Sequence, residues 1–273
     1  MIRIPSIGKI LSVVLAVLAA VVCFARSERG RAAESSELAS GPKVVVLNYH
    51  KVDRREISLS VSPEDFDRQM TFLKENGYHT ITPHEMYMAF TDGAPLPTNP
   101  VLITFDDGYA DNYINAYPIL KKHGMKAAIF VVTDFLDRGV PGYLTWAQAA
   151  EMENSGVFSV ESHTVTHSSL LDLTDDAIRR ELTQSKRDIE QRLGKEVEFL
   201  AYPTGAYNLH IASLVKEAGY KGAFTVRFGN MDQFSNFYAM ERVPIFREAD
   251  TFSSFLERIR YVPLFEKIGW AKN

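Results

Sequence analysis

From residue 44 onward the chain alternates short apolar runs with helical stretches. The runs fall at 44–49, 79–81, 101–105, 127–132, 157–161, 197–202, 223–226 and 242–246. The helices between them announce their starts: Ser62 before Pro63 with Glu64 and Asp65 in the first turn, the capping box Thr82-Pro83-His84-Glu85, Thr145-Trp146-Ala147-Gln148, Thr174 and Asn208. Repeated strand-then-helix units predict an α/β fold with a parallel sheet, and seven or eight of them predict a closed barrel over an open doubly wound sheet. Asn48-Tyr49-His50, Asp106-Asp107, Ser162-His163 and Tyr202-Pro203-Thr204 all close predicted strands. In such a barrel the C-terminal strand ends form the catalytic face.

Val101-Leu102-Ile103-Thr104-Phe105 runs straight into Asp106-Asp107-Gly108. The glycine permits a sharp turn, so both carboxylates can be offered to one site. Adjacent carboxylates repel, and a cation on one of them relieves the repulsion. One Asp on a metal and one free to move a proton is the functional reading; a plain strand-to-turn junction is the other. His163 and His167 stand four apart, a spacing that on a helical turn puts both imidazoles on one face. Two His and a carboxylate make a sound transition-metal set.

Thr104-Phe105-Asp106-Asp107-Gly108 with Ser162-His163-Thr164-Val165-Thr166-His167 resembles the first two motifs of the polysaccharide deacetylases, the carbohydrate esterases built on the NodB-homology domain. The resemblance spans about 44–246. It implies a distorted (β/α)7 barrel that removes acetyl groups from N-acetylated sugars, with Asp107, His163 and His167 on the metal and Asp106 as general base. Leu200-Ala201-Tyr202-Pro203-Thr204-Gly205 lies where the third motif belongs, which makes the Thr204 N–H the candidate oxyanion donor. Tyr143, Leu144 and Trp146 fall where the fourth motif places the wall of the acetyl pocket. Tyr109, Asp111, Tyr113 and Tyr207 are candidates for a sugar groove.

Two departures stand out. Ala201 occupies the place of an Arg that pairs with the catalytic Asp, which leaves Arg242 as the candidate to orient Asp106. The fifth-motif His has no counterpart in the C-terminal third. Tyr49-His50, followed by Phe66, Gln69-Met70, Leu73 and Gly77-Tyr78, resembles the subgroup acting on poly-N-acetylglucosamine of biofilms, in which an N-terminal His, here His50, supplies the acid. The expected ion is zinc, with cobalt, nickel or iron as alternatives. The expected substrate is that polymer, with peptidoglycan, chitooligosaccharide and a non-catalytic sugar-binding barrel as rivals. A glycoside hydrolase using Asp106 and Asp107 is disfavoured, because adjacent residues rarely span the roughly 5–9 Å such pairs need.

A formal charge of -4 gives no reason to expect nucleic acid. Arg3 and Lys9 precede an uncharged run over 10–25, and Arg26, Arg29 and Arg31 follow it. That pattern predicts a signal peptide or signal anchor over 1–26, a linker over 27–42 and the catalytic domain over 43–273. The expected location is extracytoplasmic, with possible membrane association through the N-terminal segment and polysaccharide synthesis or export machinery as neighbours. Cys23 is the only cysteine and lies within that segment, so the domain's chemistry falls to carboxylate, imidazole, hydroxyl or metal.

Overall fold

A computed structural model describes residues 42–248 and 250–267. The expected export segment and most of the expected linker lie outside them. Among the described residues no helix is long and apolar enough to cross a membrane. The strands are β1 (Val45–Tyr49), β2 (Lys51–Val52), β3 (Ser60–Val61), β4 (His79–Thr80), β5 (Pro100–Phe105), β6 (Ala127–Val131), β7 (Phe158–Ser162), β8 (Phe199–Ala201), β9 (Gly222–Phe228) and β10 (Met240–Pro244).

Every pairing in the main sheet is parallel. Its order is β1-β10-β9-β8-β7-β6-β5, and β5 pairs back onto β1 from Val45↔Val101 to Tyr49↔Phe105. Seven strands therefore close a barrel. β4 stays outside the ring, pairing His79 with Pro100 at the start of β5. Closure leaves no long exposed edge.

Alternation along the strands divides the core in two. Val46, Leu102, Ala128, Phe130, Phe199, Phe224 and Met240 pack together inside the barrel. Leu47, Val101, Ile103, Ile129 and Val243 face the helices, joined by Phe66, Met70 and Leu73 of α1 (Pro63–Glu75). α1 forms as the sequence dictates: Ser62 Oγ accepts the Asp65 N–H, Pro63 opens the first turn, and the apolar residues recur at helical spacing. Phe66 seals it against Tyr49 and Phe105, with ring centroids 5.2 and 5.8 Å away. Each such ring contributes about 1.5–3 kcal/mol through burial.

The two-residue period also sets the site. Asn48 follows Val46 up the inner face of β1, Thr104 and Asp106 follow Leu102 on β5, and Arg242 follows Met240 on β10. The strands thus lift polar side chains from an apolar interior to the barrel mouth. One irregularity matters there: Met240 pairs with Phe224 but Arg242 with Phe228, so β9 bulges opposite β10. The Thr225 carbonyl accepts from Arg242 Nε at 2.7 Å, within the bulged stretch.

Several elements were not foreseen. A π-helical turn, Asn112–Ala116, precedes the helix expected after Gly108; a short helix, Thr133–Asp137, follows β6; and Thr251–Lys267 closes the described chain as a helix.

Candidate active site

Asp106 and Asp107 leave β5 side by side but enter different surroundings, because the backbone reverses between them. Asp107 has φ +72° and Gly108 φ +73°. Gly108 is needed for space as well: a Cβ there would lie 3.1 Å from Val131 Cγ1. Among the described residues five non-glycine positions have positive φ, and four of them are Asp107, Thr164, His167 and Thr204. Strain of this kind concentrates where the rest of the structure enforces a site.

Asp106 is buried and held by three donors. Arg242 donates Nη1 to Oδ1 at 2.8 Å and Nη2 to Oδ2 at 2.7 Å, and Asn48 Nδ2 donates to Oδ2 at 3.0 Å. Burial alone would raise its pKa; the charge and hydrogen bonds of Arg242 outweigh it and bring the carboxyl down to about 2. Arg242 is itself fully buried, its Nη1 also reaching Thr104 Oγ1 at 3.2 Å and its guanidinium facing the Phe130 and Phe224 rings. With no surface left for a sugar, it orients Asp106, the task expected of it from the missing Arg at position 201. Ala201, at the inner end of β8, leaves this job to β10.

Asp107 Oδ1 lies 3.3 Å from His163 Nε2 and 3.2 Å from His167 Nε2, and the three ligand atoms fall within 4.8 Å of one another. The expected helical turn is absent. His163 and His167 converge across a loop in which Thr164 (φ +67°) and His167 (φ +61°) are left-handed. Glu181 holds that loop, its Oε2 accepting the Val165 and Thr166 N–H groups at 2.8 and 2.9 Å and its Oε1 the Thr166 hydroxyl at 2.8 Å. Nothing in the sequence separates Glu181 from the other charges of its helix, Asp175–Leu193.

His163 Nδ1 sits 2.7 Å from the Ala201 carbonyl. A carbonyl only accepts, so Nδ1 carries the hydrogen and Nε2 keeps its lone pair toward Asp107. Such an oriented imidazole, a second imidazole and a carboxylate fit a divalent transition metal. Burial pushes Asp107 up, but its bonds to His163 and His167 prevail and hold it well below the usual carboxylate range.

His50 reaches the same place from β1, with Nε2 4.0 Å from Asp106 Oδ2. Burial lowers its pKa below the ordinary 6.5, and the charges of Asp106 and Asp107 recover only part of that. Among the described residues His50 Nδ1 and Asn48 Oδ1 are buried without a hydrogen-bond partner. Polar atoms in that condition suit a ligand-binding mouth.

The other expected residues scatter. Tyr143 joins the site region, stacking on Tyr109 at 5.0 Å, and burial and the Asp107 charge raise the Tyr109 hydroxyl. Trp146 turns elsewhere: Nε1 donates to Asp137 Oδ1 at 2.8 Å and Arg192 faces its ring. Tyr202 is 1% exposed, donates its hydroxyl to Tyr238 O and stacks on Tyr207, so it supports the loop and offers no sugar contact. Pro203 is buried and Thr204 exposed, at φ +59°. Gly205 makes that loop possible, since a Cβ there would collide with the Val226 side chain and backbone. Tyr113 bonds Glu151 at the surface, and Asp111 is engaged by Lys51. The remaining histidines pair locally: His79 with Thr98 O, His84 with Glu198, His123 with Asp67 and His210 with Asp175.

A sequence model of the polysaccharide deacetylase family matches residues 93–223. YxkH of Bacillus subtilis, named provisionally as a polysaccharide deacetylase, is 34% identical over 220 residues, which cover 80% of this chain and 77% of that protein. The poly-beta-1,6-N-acetyl-D-glucosamine N-deacetylase of Staphylococcus aureus is 27% identical over 242 residues, 78% of this chain and 82% of its own. The solved structure of the Streptococcus pyogenes deacetylase PplD in complex with acetate superposes with a TM-score of 0.76 at 29% identity, covering 81% of this chain and 100% of that one.

Proposed function

Since the chain belongs to the polysaccharide deacetylase family, hydrolases that cleave the carbon–nitrogen bond of an N-acetyl group, we propose that it is an exported, metal-dependent deacetylase of poly-N-acetylglucosamine. One observation carries the reading: Asp106, fixed by Arg242 and Asn48, stands one residue from the Asp107–His163–His167 set and 4.0 Å from His50. The likeness to the Staphylococcus aureus enzyme supports the polymer, and the basic-then-apolar N-terminus supports export.

Asp107, His163 and His167 would hold a divalent ion, zinc by donor preference, which when bound polarises an acetamide carbonyl and makes water more acidic. Asp106 takes the proton of the attacking water as its oxygen joins the acetyl carbon. His50 gives a proton to the nitrogen as the carbon–nitrogen bond breaks, releasing acetate and a free amine. Burial lowers the His50 pKa, which makes the protonated imidazole a readier donor. The Thr204 N–H is the proposed donor to the oxyanion, and Tyr143 on Tyr109 the wall beside the acetyl group.

The test is acetate release from β-1,6- and β-1,4-linked N-acetylglucosamine oligomers by the zinc-loaded and the chelated protein. Faster zinc-dependent release from the β-1,6 series is expected. Preference for β-1,4 transfers the reading to chitooligosaccharide or peptidoglycan, and no release with metal bound leaves a sugar-binding barrel.

A further inference from the structure

His50 and Asp106 come from different strands, so something must set the distance between them. The residues after Gly108 reach back to the segment that carries His50. Asn112 Nδ2 donates to the His50 carbonyl at 3.1 Å, Asp111 Oδ1 accepts the Val52 N–H at 2.8 Å, and Asn115 Nδ2 donates to the Val52 carbonyl at 2.7 Å. Residue 50 is thereby gripped directly, and residue 52 on both its backbone groups. The wider π-helical turn starting at Asn112 lies between these contacts, a feature that favours functional sites.

Lys51 sits at the centre. Its side chain is 3% exposed, its Nζ lies 2.7 Å from Asp111 Oδ2 and 3.8 Å from Asp53, and the ammonium rests 3.5 Å from the centroid of the Tyr109 ring. Arg55 completes a balanced group, bonding Asp53 at 2.7 Å and approaching Asp111 at 3.9 Å. Buried lysines are costly unless paired, and this one bridges Asp111 to the aromatic that follows Gly108.

We propose that Asp111, Lys51, Asn112 and Asn115 form a clamp that positions His50 against Asp106, with the Lys51–Asp111 pair as its key. The inference rests on the assignment of His50 as proton donor. The segment that delivers the base also anchors the acid, so these contacts add to the β1–β5 pairing in fixing the geometry of the pair.

The experiment is a mutant cycle on the zinc-loaded enzyme. Asp111→Asn and Lys51→Met lower kcat roughly 10- to 100-fold, the loss expected for a misplacement near 1 Å, with KM and zinc stoichiometry kept. Lys51→Arg recovers most of the rate. In the His50→Ala background Asp111→Asn costs nothing further; a full additional loss there, or no loss in the native background, overturns the clamp. Apart from turnover, the His50 imidazole resonance, identified by its absence in His50→Ala, shifts or broadens in Asp111→Asn. An unchanged resonance overturns the clamp even if the chain proves not to be a deacetylase, whereas a changed resonance without acetate release overturns only the function proposed above.

Discussion

Two buried acid–base pairs, one at each end of the barrel, show what separates a staple from a site. Glu161 accepts the N–H groups of Glu198 and Phe199 at 3.0 and 2.9 Å, the Ser159 hydroxyl at 2.8 Å and Lys195 Nζ at 3.1 Å. Lys195 in turn reaches Glu153 at 3.1 Å and the Val160 carbonyl at 3.0 Å. The network closes on itself. Asp106 is as buried and as well bonded, yet its neighbours are a second carboxylate one residue away, two imidazoles beside that, and a third imidazole at 4.0 Å. Left-handed residues surround it, and none is in the Glu161 network. Burial and ion pairing are common to both networks; left-handed non-glycine residues and converging imidazoles belong only to the one around Asp106.

The largest expected difference is in turnover. Asp106→Asn keeps the shape and removes the proposed base, and kcat is expected to fall about 10³-fold. Zinc binding measured by titration should persist, because Asp107, His163 and His167 are untouched. A variant that keeps more than a tenth of the native rate would place the base elsewhere.

Lys195→Met inverts the pattern. It strands a buried carboxylate and should cost about 3 kcal/mol in chemical unfolding, while kcat/KM for acetate release stays within a factor of about three. Loss of activity without loss of stability would give this end a role in catalysis and dissolve the contrast.

The smallest effect is a pH dependence. Burial lowers the Lys195 pKa, but Glu161 and Glu153 raise it further, to a net value above the ordinary 10.5. With the folded value above the unfolded one, the stabilisation linked to the Lys195 ammonium is present below pH 10.5 and is lost as pH rises through the folded value, while burial holds the Glu161 carboxyl above its ordinary range. Unfolding curves between about pH 9 and pH 12 should therefore fall more steeply for the native protein than for Lys195→Met. Parallel curves would mean that the ammonium contributes no pH-linked stability.

Much of this was legible without coordinates. The caps at Ser62, Thr82, Thr145 and Asn208 each accept the expected backbone N–H, because capping is a local bond between residues three apart. The strand ends carrying Asp106, Asp107 and His163 were legible for the same reason: apolar runs stop where polar residues begin. Glu181, Asn112 and Asn115 were not, since their partners lie 15 to 63 residues away and surface-type residues carry no periodic signal. The His163–His167 spacing was read in the wrong geometry. A helix brings residues four apart together by its pitch, whereas here backbone reversals at Thr164 and His167 do so.

The sequence by itself determined the alternation of strands and helices, the parallel barrel it implies, and the mouth at which the Asp pair and the imidazoles collect. These follow from local propensity and a two-residue period, which any stretch of chain expresses alone. Only the tertiary structure decided that Arg242, 136 residues beyond Asp106, would hold that carboxylate in place of a neighbour on β8. It also decided that Asn48 would share it and that His50 would arrive within 4.0 Å. Those contacts exist because barrel closure sets β1 between β5 and β10, with a bulge in β9 that frees the Thr225 carbonyl for Arg242. No local pattern encodes which strands become neighbours when a sheet closes.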